Sequence, residues 1–258
     1  MRKYKSRIQR LLAIMVVAAA AIALTMQGQS QKNPTVSKEA PRKQRDLPVV
    51  DFEATEPTDL QAREKRRSKA SRYDRHSSQR IEDAPWIEGR VQSSHWAQGL
   101  SALPVTVSDV VLIGGVLDAQ AHLSNDKTGI YSEFNVQVVE VLKDSPMSPI
   151  YPGRVVFLER YGGAVRFPSG SIQRFETWGQ GMPRVGERYL FFLRREGQTD
   201  FSIVTGYQLD VETVVPLDGA AVEGGTEKYP FDKYRGFDVS TFLQIVRTEI
   251  APKPRGTF

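Results

Sequence analysis

The chain has 258 residues, 40% apolar and 25% charged, with 35 Lys and Arg against 30 Asp and Glu, three His and no Cys. The missing cysteines exclude a disulfide scaffold, a thiolate-held metal, a thiol nucleophile and a lipidated cysteine, and His76, His95 and His122 make no metal-ligand spacing, so no cofactor is implied. Residues 1–80 hold eighteen bases and eight acids whereas residues 81–258 hold seventeen and twenty-two; the basic charge belongs to the N-terminal part, and an acidic body is not expected to bind nucleic acid.

Arg2, Lys3, Lys5, Arg7 and Arg10 precede an uncharged apolar run from Leu11 to Met26. That order is the grammar of a secretory signal. Sixteen helical residues reach roughly 24 Å, short of a hydrocarbon core of roughly 30 Å but longer than most signal cores. Residues 1–26 therefore read as a signal sequence or a membrane anchor, with Ala21-Ile22-Ala23 and Gly28-Gln29-Ser30 as the readable cleavage points. The basic cluster places the N-terminus in the cytoplasm and everything after it outside, giving a cell-envelope location, anchored through residues 11–26 or secreted. Residues 27–80 are poor in large apolar side chains and read as a disordered basic linker, since they cannot bury enough surface to offset their ordering entropy. Within them residues 59–70 have good helix formers but no apolar face. Deleting residues 31–80 is expected to leave the melting temperature of the body unchanged.

All three Trp, eleven of twelve Phe and seven of nine Tyr follow residue 80, which sets the domain at 81–258. Residues 109–123 read as one long strand, 124–129 as a turn, and 131–142 as its hairpin partner. In the partner, Phe134, Val136 and Val138 share one face while Val139 and Val141 continue on the other, a phase slip that implies a bulge or a strand coiling around a barrel. Further strands are expected at 155–161, 188–194 and 201–211, with a small hairpin of 164–167 and 172–175 turned by Pro168-Ser169-Gly170. Val239, Phe242, Leu243, Val246 and Ile250 recur at helical spacing behind Asp238, so an amphipathic helix spans 238–250. The expected fold is mainly β: a small barrel of the oligonucleotide/oligosaccharide-binding (OB) type, with five or more antiparallel strands and one C-terminal helix.

Three stretches, Asp109 to Val116, Phe134 to Lys143 and Val185 to Leu193, resemble exported bacterial domains of the netrin-like kind, the barrel class that includes tissue inhibitors of metalloproteinases. The resemblance covers residues 105–215 and implies a five-stranded OB-type barrel. It does not carry over the inhibitors' mechanism, which needs an N-terminal cysteine that is absent here.

No GxSxG, GxxxxGK[ST] or GxGxxG pattern occurs. His122 and Asp118 share a strand face but stand about 13 Å apart, beyond hydrogen-bond reach, and His122 reads as a solvent-facing barrel residue. Asp210 and Glu212, about 7 Å apart on one strand face, have a separation some glycosidases use, although such acids ordinarily line hydrophilic faces. The glycines from Gly162 to Gly181 read as turn residues, and Trp96 as a seal at one end of the core. What remains is a loop region in which Arg166, Arg174 and Trp178 interleave with turn residues, and Arg and aromatic side chains are common anchors of binding surfaces. The functional expectation is a non-catalytic envelope module that binds a protein or glycan through these three residues; the alternative is an exported hydrolase with acids drawn from separate strands.

Overall fold

The computed structural model describes residues 47–75, 80–84, 89–92, 96–219 and 229–251. The apolar run at 11–26, the rest of the tract before residue 47, His76 and His95 lie outside the described residues. Among the described residues no helix is long and apolar enough to cross a membrane. In chain order the elements are β1 (Val49–Asp51), α1 (Leu60–Ser71), β2 (Gly89–Gln92), β3 (Val110–Leu123), β4 (Ile130–Lys143), β5 (Val155–Tyr161), β6 (Gly163–Arg166), β7 (Ile172–Thr177), β8 (Arg188–Arg195), β9 (Asp200–Leu209), β10 (Val214–Pro216), a 3-10 turn (Pro230–Tyr234) and α2 (Val239–Ile250).

The long hairpin β3–β4 winds around the core because its register slips at Val111/Leu112, Ile113/Gly114 and Val116/Asp118, so each bulge adds twist. β4 pairs with β5, β3 with β8, and β9 with both β8 and β5, which closes a five-stranded barrel in the order β3-β4-β5-β9-β8. This is the OB-like closure expected from the sequence. One junction differs from a wholly antiparallel barrel: β5 and β9 run parallel. The chain leaves the barrel after β5, builds a separate hairpin and returns through β8, so β9 comes back in the direction of β5. The departure is made at Gly162 and Gly163, whose φ angles of 111° and 148° suit glycine, and a Cβ on Gly163 would meet Ala121, Ile130 and Ser132 at 3.1 Å.

Alternation along the strands fills two layers. Val110, Leu112, Phe134, Val136, Leu158, Tyr189, Phe191 and Phe201 fill the barrel, and the opposite faces of β3, β8 and β9 bury Val111, Ile113, Leu190, Phe192 and Tyr207 against Phe231, Phe242 and Val246. β8 is thus apolar on both faces, which explains its unbroken run Tyr189-Leu190-Phe191-Phe192-Leu193. α2 starts where the Asp238 carboxylate accepts the Thr241 N–H at 2.8 Å. Its Phe242 and Val246 are fully buried. At one end of the barrel Arg160, from β5, is clamped by Asp218 at 2.6 and 3.0 Å, and Trp96 stacks with Tyr229 and Phe231 beside it.

A second sheet, ordered β1-β6-β7-β2, covers the far end of the β3–β4 hairpin with Val50, Val165, Phe167 and Phe175 against Ala121 and Ile130. Here the expectation of a disordered linker over 27–80 is corrected for residues 47–75. They form β1, which pairs in parallel with β6, and α1, which lies on the outer wall of the barrel. The physical reason is that α1 docks by charge. It has no apolar stripe, yet Lys69 is only 8% exposed because carboxylates of β4, β5 and β9 surround it. The chain divides between Arg45 and Asp46, so the body begins at 46 and not at 81.

Candidate functional site

The β6–β7 hairpin presents the sequence-derived candidates. Its turn closes with Gly170 N–H donating to the Phe167 carbonyl at 2.8 Å, and the register pairs Arg166 with Ile172 and Ala164 with Arg174. Paired residues share a face, so Arg166 and Arg174 are diagonal neighbours, about 7–8 Å apart by ordinary sheet geometry. The parallel flanking strands add Val49 and Asp51 from β1 and Val91 from β2 to that same face. Val49, Val91 and Ile172 are 41%, 59% and 47% exposed. Arg166 reaches Asp51 at 3.4 Å, an exposed pair that solvent screens. The inner face of the hairpin is packed: Phe175 is buried with Arg90 over its ring, and the Gln173 amide nitrogen donates to the Glu82 and Ala84 carbonyls at 3.0 Å.

Trp178 does not join the two arginines on a strand. It follows the end of β7, is half-buried, and its carbonyl accepts the Trp96 Nε1–H at 2.8 Å, which ties the loop to the aromatic stack at the barrel end. Asp210 and Glu212 are not on a strand face either. β9 ends at Leu209, and Asp210 N–H donates to Thr213 in the tight turn toward β10. The paired-acid geometry read from the sequence is therefore absent at these two residues.

Acids converge elsewhere. β4 and β5 place Glu133 directly opposite Glu159, and β9 brings Asp200 beside them. Oxygens of these three carboxylates lie within 4.8 Å of one another, close enough to share a cation. The cation they share is the Lys69 ammonium. It pairs with Glu133, with Asp200 at 2.5 Å and with Glu159 at 3.4 Å, and stands 5.1 Å from the centre of the Phe157 ring. Burial alone would pull its pKa down, but the carboxylates of Asp200, Glu133 and Glu159 outweigh the desolvation and hold it above the ordinary lysine value. Arg72 pairs with Glu159 at 2.5 Å and with Glu196 at 3.6 Å, and is raised in the same way against a desolvation penalty.

Tyr73 completes the seam. Its ring stacks on Tyr131 at 4.4 Å, its hydroxyl donates to Glu159 at 3.3 Å, and burial and then Glu159 push its ionisation well above the ordinary tyrosine range. His122, read from the sequence as solvent-facing, is covered from this side. It lies 5.2 Å from the Tyr131 ring, its Nδ1 has no hydrogen-bond partner, and desolvation followed by the fields of Arg66 and Lys69 pushes its pKa down to about 4. Beyond α1, Arg72, Tyr73, Arg75, Tyr161, Thr177 and Gln180 line a polar recess of about 280 Å³ in which the Arg75 guanidinium sits 4.3 Å over the Tyr161 ring.

Glu133, Glu159, Asp200 and Lys69 were not singled out from the sequence. The signal present was an alternation putting Glu133 and Glu159 on the outer faces of β4 and β5; which strands meet, and that a basic helix covers them, is long-range information. No protein-family model matches the chain, and no curated protein matches it.

Proposed function

We propose that the chain is an exported or membrane-anchored, non-catalytic binding module of the bacterial cell envelope, and that it holds a protein or glycan on the outer face of the β1-β6-β7-β2 sheet around Arg166 and Arg174. The observation that carries this reading is the alternation on that face: Val49, Val91 and Ile172 stay exposed between charged neighbours while every inward side of β6 and β7 is packed. Exposed aliphatics interleaved with arginines are the composition of contact surfaces. Trp178 belongs to the reading as a marginal contact, one residue past the end of β7. The three stretches of the netrin-like resemblance fall on the barrel strands β3, β4 and β8 with their approaches, so the likeness concerns the scaffold and not this face.

The hydrolase alternative finds its acids at Glu133, Glu159 and Asp200, which do come from separate strands. It is the weaker reading because Lys69 and Arg72 neutralise them and α1 covers them. The test is retention from envelope extract on the immobilised full chain, run beside a chain carrying Arg166→Ala and Arg174→Ala, with circular dichroism to show both baits folded. A component held by the first and released by the second is the expected outcome. Equal retention by both, or hydrolysis of envelope glycan by the purified chain, would overturn the reading.

A further inference from the structure

The outer wall of β4, β5 and β9 is a docking surface that the chain covers with a segment of its own. Four carboxylates, Glu133, Glu159, Glu196 and Asp200, face three cations of α1 and its C-terminal cap, Lys65, Lys69 and Arg72. These cations fall at i, i+4 and i+7, one face of a helix. Around the charges the wall supplies aromatic contacts: Lys65 stands 4.9 Å from the centre of the Phe157 ring, and Tyr73 stacks on Tyr131. The β3–β4 loop grips the end of the helix. Asn125 donates to the Arg67 carbonyl at 2.9 Å, Asp126 N–H donates to Asp74 at 3.0 Å, and a Cβ on Gly129 would stand 2.3 Å from the Tyr73 carbonyl oxygen. On the other side Arg72 reaches Glu196 in the β8–β9 turn. The groove is thus bounded by two loops, acidic at its floor, and shaped to a helix that offers it no apolar stripe.

From this geometry we infer that the β4–β5–β9 wall is a recognition surface for basic helical segments carrying Lys or Arg at i, i+4 and i+7, and that α1 fills it in cis until such a segment of a partner protein displaces it. Charge complementarity selects the occupant: an anionic ligand would meet Glu133, Glu159 and Asp200, and an apolar helix would leave them buried without partners. Displacement is reasonable because an incoming helix of this pattern reproduces the same ion pairs, so the exchange leaves no carboxylate uncompensated. The inference concerns a surface that includes neither Arg166 nor Arg174 and stands whether or not the sheet face binds.

The test uses a fluorescent peptide of residues 56–75 added to the full chain. Binding is measured by anisotropy to wild type, to Lys69→Glu/Arg72→Glu, and to that variant with Glu133→Gln and Asp200→Asn added. The expected result is binding at least tenfold tighter to Lys69→Glu/Arg72→Glu than to wild type, weakened by salt, and lost when the two acids are neutralised. A shuffled peptide of the same composition should not bind. Equal binding to all three chains, equal binding of the shuffled peptide, or no binding to Lys69→Glu/Arg72→Glu with its β3 and β4 amides still protected from exchange would each overturn the inference. Should the charge-reversed chain fail to fold, hydrogen exchange on wild type decides: amides 60–71 are expected to exchange faster with rising salt while β3, β4 and β8 stay protected, and salt-independent protection of α1 would refute it.

Discussion

At the scale of single residues, the buried Arg160–Asp218 pair and the half-buried His122 carry consequences that a sequence pattern does not display. Arg160 and Asp218 are both buried, and Asp218 also accepts from Gly181 N–H at 2.8 Å and Thr205 Oγ1 at 2.8 Å. Asp218→Ala would leave the Arg160 guanidinium with backbone carbonyls but no counter-charge, and the Gly181 amide without its acceptor, and is expected to cost about 3–5 kcal/mol in urea-denaturation stability. His122 links stability to pH. Its folded pKa of about 4 lies below the unfolded value of 6.5, so between those values the unfolded chain binds more protons and stability falls as pH falls through the window. Wild type is expected to lose about 1–3 kcal/mol more than His122→Gln between pH 7 and pH 4.5, read from paired denaturation curves; parallel losses in the two chains would remove His122 from the pH response. The alternation of β3 placed His122 on the outer face correctly. That this face is covered depends on α1, a helix at Leu60–Ser71 far earlier in the chain, and nothing local to His122 reports it.

At the scale of elements, what could be read was what announces itself by burial period. β3, β4, β5, β8 and α2 are long enough for a period of two or of 3.6 to stand out, and their bounds differ from expectation by a residue or so at most ends. β1, β2 and β10, at three or four residues each, carry too little pattern, and the partners of β1 and β2 lie far along the chain. α1 had no apolar stripe to detect because the groove it fills is made of carboxylates. A chain beginning at residue 81 therefore lacks part of its body, and its melting temperature is expected to fall about 5–10 °C below that of a chain beginning at residue 46; coincident transitions would return residues 47–75 to the status of a linker. In α2, Val246 is fully buried against Tyr207 and Phe242. Val246→Asp would bury an unpaired charge and is expected to destabilise by more than about 3 kcal/mol or to prevent folding, whereas unchanged melting would contradict the packing of the helix on the barrel.

At the scale of the molecule, a closed five-stranded barrel has used its interior for side chains, so contact with other molecules falls to its outer walls and its inserted hairpin. One wall is covered by α2, another by α1, and the inserted sheet keeps an uncovered face with Val49, Val91, Arg166 and Ile172 exposed. Arg166 and Arg174 were legible as a pair because a hairpin turn between two runs of period two fixes which residues become neighbours. Trp178 was not, since the chain leaves the strand before reaching it. The most direct measurement is photo-crosslinking in the native envelope with a reactive side chain at position 172, beside the same group at position 147, where Met147 is 94% exposed and away from the face. A discrete crosslinked species from position 172, absent from 147 and lost with Arg166→Ala/Arg174→Ala, is the result expected of a binding module that uses this face. No species from 172, or the same species from both positions, would contradict it.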